Sequence, residues 1–184
     1  QSALLETMEE HQATVDGITH PLPSPFIVLA TQNPVGSAGT QMLPPSQMDR
    51  FMIKLEMGYP DFKSQVNILK DRHNENPLDS VQSVVTANDI TELQKNVQNI
   101  HTDDEIYEYV TRLAEYSRNL ETTGLGISPR GALSVCRMAK AHAFVNGRDY
   151  VVPDDIRAIF CDVCAHRIII TQRARLSGHN SQSA

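Results

Sequence analysis

Five apolar residues in a row, Phe26-Ile27-Val28-Leu29-Ala30, run straight into Thr31-Gln32-Asn33-Pro34. A run with no polar face is ill suited to a half-exposed sheet. It predicts a central strand of a parallel sheet, covered by helices on both faces. In open α/β sheets, ligands bind just beyond the carboxyl ends of such strands. Asn33 therefore stands where chemistry is expected, with an amide that both donates and accepts hydrogen bonds. On local chemistry alone, Asn33-Pro34 also reads as a turn. Upstream, Pro21, Pro23 and Pro25 keep the chain extended on its way into the strand.

The flanking segments fit an α/β unit followed by helices. Ala3–Glu9 reads as a helix, and the chain opens on it without Met or a helix start signal, as expected of a fragment of a longer protein. Asp16-Gly17 between β-formers predicts a hairpin. Phe51, Ile53, Leu55 and Met57 alternate with Met52, Lys54 and Glu56, which predicts a second strand. Asp61 is placed to cap a helix running to about His73. Residues 74–80 are polar and turn-rich, and read as a hinge. The expected organisation is thus residues 1–73 as the end of an α/β core, 74–80 as a hinge, and 81–184 as an all-α domain.

Within that helical half, Thr86 with Asp89 opens one helix, and Thr102 with Glu105 forms a capping box for the next. Ser128-Pro129 pairs a cap with a first-turn proline. The helix it opens carries Leu133, Cys136, Ala139, Lys140 and Ala143, and stops before Gly147. Pro153 with Asp154 and Asp155 opens another, with Ile156, Phe160 and Val163 inward and its acids suited to the helix dipole. The tail, 177–184, is polar.

Charge and cysteine content narrow the function. The net charge of -6 gives no electrostatic case for nucleic acid or an anionic membrane. No apolar run is long enough to span a bilayer, and these residues do not read as a signal peptide. Three cysteines do not suggest a disulfide framework, so a cytoplasmic setting is expected. Cys161 and Cys164 lack a second pair to complete a zinc site. Spacing of three puts both thiols on one helix face, which reads as core packing.

Two blocks, in this order, resemble the MoxR family of AAA+ ATPases. The first is ATQNP, LPPSQMDRF and GYPD; the second is GISPRGALSVCRMAKAHAFVNGRDYVVPDDI. They are similar to the family's sensor-1 strand, arginine-finger region and lid entry, and to its sensor-2 helix and the helix after it. The loop departs from the pattern around Val35-Gly36, Gln41 and Pro45, where the family usually carries an acid, an aromatic and Glu. The one glycine pair with phosphate-loop spacing, Gly126 and Gly131, is followed by Ala132 where Lys is needed. In the family the phosphate loop and the magnesium-binding acids precede the point where this chain begins. The resemblance therefore implies ATP and Mg2+ as cofactors of the full-length parent, and no activity and no cofactor in this chain alone.

The resemblance assigns three roles. Asn33 is sensor 1, holding the attacking water in line with the γ-phosphate. Arg50 is the arginine finger, reaching the nucleotide of a neighbouring subunit; such a residue is worth roughly 10³–10⁵ in turnover. Arg130 is sensor 2, and with Asn33 it contacts the ATP phosphates. The residues themselves support Arg130: it stands in the first turn of a capped helix, where a cation opposes the helix dipole and is better tolerated if an anion sits nearby. A finger in trans implies a homo-oligomer, a hexameric ring by family expectation, working on an unidentified client protein. Two other readings stay open, a non-catalytic helical interaction module and a helical DNA-binding domain; the acidic balance opposes the second.

Overall fold

The computed structural model describes residues 2–32, 43–71, 77–178 and 180. The chain opens on helix α1 (Ser2–Glu10) and a hairpin of β1 (Gln12–Val15) and β2 (Ile18–Pro21), paired in register Val15 to Ile18. Two residues make the turn, Asp16 at φ 51° and Gly17 at φ 77°. Both central residues at positive φ match the right-handed twist of the flanking strands, as the Asp-Gly pair predicts. Helices α2 (Pro45–Met48) and α3 (Phe62–Asp71) follow, and Asp61 caps α3 by accepting from the Ser64 amide at 2.7 Å. Within the expected hinge, Pro77–Ser80 form one 3₁₀ turn, and 74–76 lie outside the described residues.

The second half contains α4 (Ala87–Gln98), α5 (Asp104–Asn119), α6 (Pro129–Val145), α7 (Pro153–Cys164) and α8 (Gln172–Leu176). Thr86 and Asp89 open α4 as expected, and do so through a reciprocal capping box. At α5 the cap falls one residue later than the sequence suggests. Asp103, not Thr102, accepts from the Glu105 amide at 3.1 Å, and the Thr102 hydroxyl is buried without a partner among the described residues. A carboxylate competes better than a hydroxyl for the free amides of a first turn. The helical half also holds an antiparallel ladder of β3 (Thr123–Leu125) and β4 (Ile169–Ile170), which no period-2 pattern marks in the sequence.

The buried apolar side chains among the described residues all fall between Ile100 and Ala174. Most of them form one core beneath α5, α6 and α7, built on Ile106, Val110, Ala114, Val135, Ala139, Ala143, Ile156, Ile159 and Val163. On α6, Ala139 and Ala143 face inward with Ser134 and Val135, whereas Leu133 points outward. Gly126 lets the chain pass directly over α5: a Cβ there would sit 2.7 Å from the Ser117 carbonyl carbon and the Arg118 nitrogen.

Neither apolar run predicted as a strand forms a ladder. Phe26–Ala30 carries no regular secondary structure, with Ile27 66% and Leu29 91% exposed. A strand exists through its neighbours, and no described segment lies alongside to supply one. Residues 51–57 differ for a positive reason: the carbonyls of Phe51 and Met52 accept from the side chain of Arg167, and the Lys54 amide donates to the Asp162 carbonyl at 2.9 Å. Those backbone groups are committed to the helical half rather than to a sheet.

Candidate functional site

Three elements meet at one carboxylate. Glu9 lies in the last turn of α1, Arg50 on the turn leaving α2, and Arg130 in the first turn of α6. Arg50 Nη1 lies against Glu9 Oε2, and Arg130 Nη2 donates to Glu9 Oε1 at 2.5 Å. Two residues singled out from sequence, 80 positions apart, are thus brought to the same place. The Arg50 guanidinium, with the Arg130 guanidinium beside it, holds the Glu9 carboxyl below the usual carboxylate range. Arg50 Nε is buried with no acceptor among the described residues. Asn33, the third predicted site residue, lies outside the described residues.

Local chemistry explains how each arginine is presented. Ser128 caps α6, its hydroxyl accepting from the Gly131 amide at 3.1 Å, and Pro129 fills the first helical position. This fixes Arg130 at the positive end of the helix, where its charge is disfavoured unless compensated. Glu9 compensates it. Arg50 follows Asp49, and Asp49 is anchored twice: its carboxylate accepts from the Ser128 hydroxyl at 3.0 Å and from Arg167 Nε at 2.9 Å.

Arg167 is the centre of this anchoring and was not signalled by any motif. Its side chain is 1% exposed. It donates to the carbonyls of Asp49 at 3.1 Å, Phe51 at 2.7 Å and Met52 at 3.1 Å, to the Ser134 hydroxyl on α6, and to the Val163 carbonyl on α7. Burial pushes the guanidinium below its ordinary value, and Asp49 opposes that by pairing with it. Gly131 makes room for it, since a Cβ there would lie 2.9 Å from Arg167 Cδ. Beside it, His166 Nε2 bonds to the Phe51 carbonyl at 3.1 Å, and burial lowers its proton affinity. The available hint was a lone arginine preceding the apolar run Ile168-Ile169-Ile170.

The two thiols read as sharing a face do not share an environment. Cys164 is in the core and Cys161 is exposed. Elsewhere in the helical half, buried Asp155 accepts from Arg148, His142 and the Val152 amide.

Comparison with known proteins supplies the context for this pairing of arginines. Residues 1–53 match the model described as the ATPase family associated with various cellular activities (AAA), and residues 115–184 match the AAA lid domain. Arg50 falls in the first match and Arg130 in the second. The chain is 37% identical over 183 residues to the chaperone MoxR1 of Mycobacterium tuberculosis, covering 95% of this chain and 48% of that protein. The chain belongs to the MoxR family of AAA+ ATPases. The chain is also 41% identical over 183 residues to the uncharacterized protein YeaC of Bacillus subtilis, covering all of this chain and 57% of YeaC. A crystal structure of a candidate ATPase from Cytophaga hutchinsonii superposes with a TM-score of 0.88 at 38% identity, covering 98% of this chain and 58% of that one. The chain therefore spans about half the length of the curated relatives it matches.

Proposed function

We propose that this chain is part of a MoxR-type ATPase that hydrolyses ATP between subunits and uses the energy to remodel or mature a client protein. The observation that carries the reading is the convergence of Arg50 and Arg130 on Glu9. Two guanidinium groups gathered at one anionic point, one with a buried Nε that has no acceptor among the described residues, suit a group bearing several negative oxygens. In this reading Arg50 is the finger and neutralises charge that develops on the transferred phosphoryl. Arg130 is sensor 2 and carries the state of the nucleotide into α6, and Asn33 is sensor 1 and orients the attacking water. ATP supplies the phosphoryl group, and the phosphate loop and magnesium ligands come from residues outside this chain. A finger in trans makes the working unit a homo-oligomeric ring, for which a hexamer is the family expectation.

Residues 1–73 are then the end of the nucleotide-binding core, 74–80 the hinge, and 81–184 the lid. The chain alone is expected to be inactive. Its work is placed in the cytoplasm, and no described helix is long and apolar enough to cross a membrane. The test is ATP turnover by the full-length protein carrying Arg50→Ala or Arg130→Ala, with ATP binding measured in parallel. A loss of roughly 10³-fold for Arg50→Ala with binding retained is the expected result. Unchanged turnover in both variants would overturn the reading in favour of a non-catalytic module.

A further inference from the structure

We propose that Arg167 is the positioning residue of this site, fixing Arg50 and the start of α6 to one another through Asp49. The proposal rests on the reading of Arg50 as a finger. Arg50 has no rigid element of its own: α2 is a single turn, and the residues after it are held by no ladder. Its place is set instead by the two residues that flank it. Asp49 is held through both its carboxylate and its carbonyl, and Phe51 through its carbonyl, all by the guanidinium of Arg167. The same guanidinium reaches α6 through Ser134 and α7 through Val163.

The circuit closes on the other arginine. Asp49 accepts from Ser128, which caps α6 two residues before Arg130. Arg50 and Arg130 are therefore set against each other by one buried hub, and they meet again at Glu9. A helical half that rotates carries the Arg50 segment with it, because the segment is bonded to α6 and α7. The role needs the planar fork of arginine. A lysine keeps one positive charge for Asp49, but its single ammonium cannot reach Asp49, Phe51, Met52 and Ser134 from one position.

The experiment is a double-mutant cycle in the full-length protein. Arg167→Lys, Arg50→Ala and the double variant are compared for turnover at saturating radiolabelled ATP, so that slow residual rates stay measurable. ATP affinity, ring mass and thermal midpoint are followed alongside. Arg167→Lys is expected to lower turnover on the order of 10²-fold, as a displacement of about 1 Å does to an aligned catalytic group, with ATP affinity retained. In the Arg50→Ala background the same change is expected to cost less than about 3-fold, because the group it positions is gone. An equal factor in both backgrounds would show that Arg167 only supports the fold, and would overturn the proposal while leaving the finger reading intact. If Arg50→Ala has no effect by itself, the finger reading fails and the proposal falls with it. Should Arg167→Lys not fold, Asp49→Asn runs through the same cycle: non-additivity with Arg50→Ala supports the proposal, and additivity refutes it.

Discussion

Asp155→Asn is the sharpest test of how the helical half is held together. The Asp155 carboxylate is fully buried and takes four donors. Arg148 Nη1 lies at 2.7 Å, Arg148 Nη2 binds the other oxygen, the Val152 amide lies at 2.8 Å and His142 Nδ1 at 2.6 Å. Asparagine keeps the shape but replaces one acceptor oxygen with a donor. Arg148 then loses its counter-charge, and the reciprocal bond at the start of α7 weakens or is lost. Breaking a buried pair in this way costs about 3–5 kcal/mol. The lower end applies, because the Arg148 side chain is 26% exposed and keeps its bond to the Tyr150 carbonyl. About 3 kcal/mol in a chain of this size lowers Tm by roughly 6–12 °C. Urea unfolding followed by circular dichroism at pH 7 measures it, with the slope checked for constancy. These bonds hold the carboxyl well below the usual carboxylate range despite its burial. Its stabilisation is thus fully present above the unfolded value of about 3.9 and is lost only as pH falls below that. A gap between wild type and variant under about 1 kcal/mol would refute the reasoning, since it would place the pair among solvated surface ion pairs.

Two further outcomes follow from buried groups near the candidate site. His166 has its proton affinity lowered by burial and by Arg167, so the unfolded chain binds the proton more readily. Stability should be full above the unfolded value of about 6.5 and fall as pH drops below it, by at most about 1.4 kcal/mol per pH unit, and His166→Gln should remove that part of the slope in unfolding curves between pH 5 and 8. A slope unchanged by the substitution would rule His166 out as its source. The Cys164 thiol is pushed up to about 12 by burial, whereas Cys161 is exposed. Iodoacetamide at pH 8 should therefore label Cys161 in the folded protein and reach Cys164 only on unfolding; equal labelling of both by mass spectrometry would contradict the packing of α7.

Features encoded within a few residues were legible in the sequence. Asp16-Gly17 specifies its turn because few other pairs hold two positive φ values at low cost, and Ser128-Pro129 specifies the start of α6 by capping and by geometry together. Thr102 misled because a one-residue choice between neighbouring caps depends on which side chain reaches the amide. The Phe26–Ala30 and Phe51–Met57 runs carry strand patterns, but a ladder needs a partner that no local pattern supplies. Arg167 was illegible for the same reason on a larger scale: its partners at Asp49, Phe51 and Met52 lie over 110 positions away, and only the fold brings them into reach.

Arg130 shows how far a purely local argument can go. Its charge at a capped helix start is unfavourable in isolation, and that misfit alone called for an anion. The fold supplies one in Glu9, from a helix 121 positions away, and the same carboxylate also takes Arg50. An incoming phosphate would meet two guanidinium groups already gathered, and would have to share them with Glu9 or displace it. The sequence argument located a need for negative charge without naming its source. Glu9 meets that need, so any phosphate site built on Arg50 and Arg130 shares its cations with a carboxylate of the chain itself.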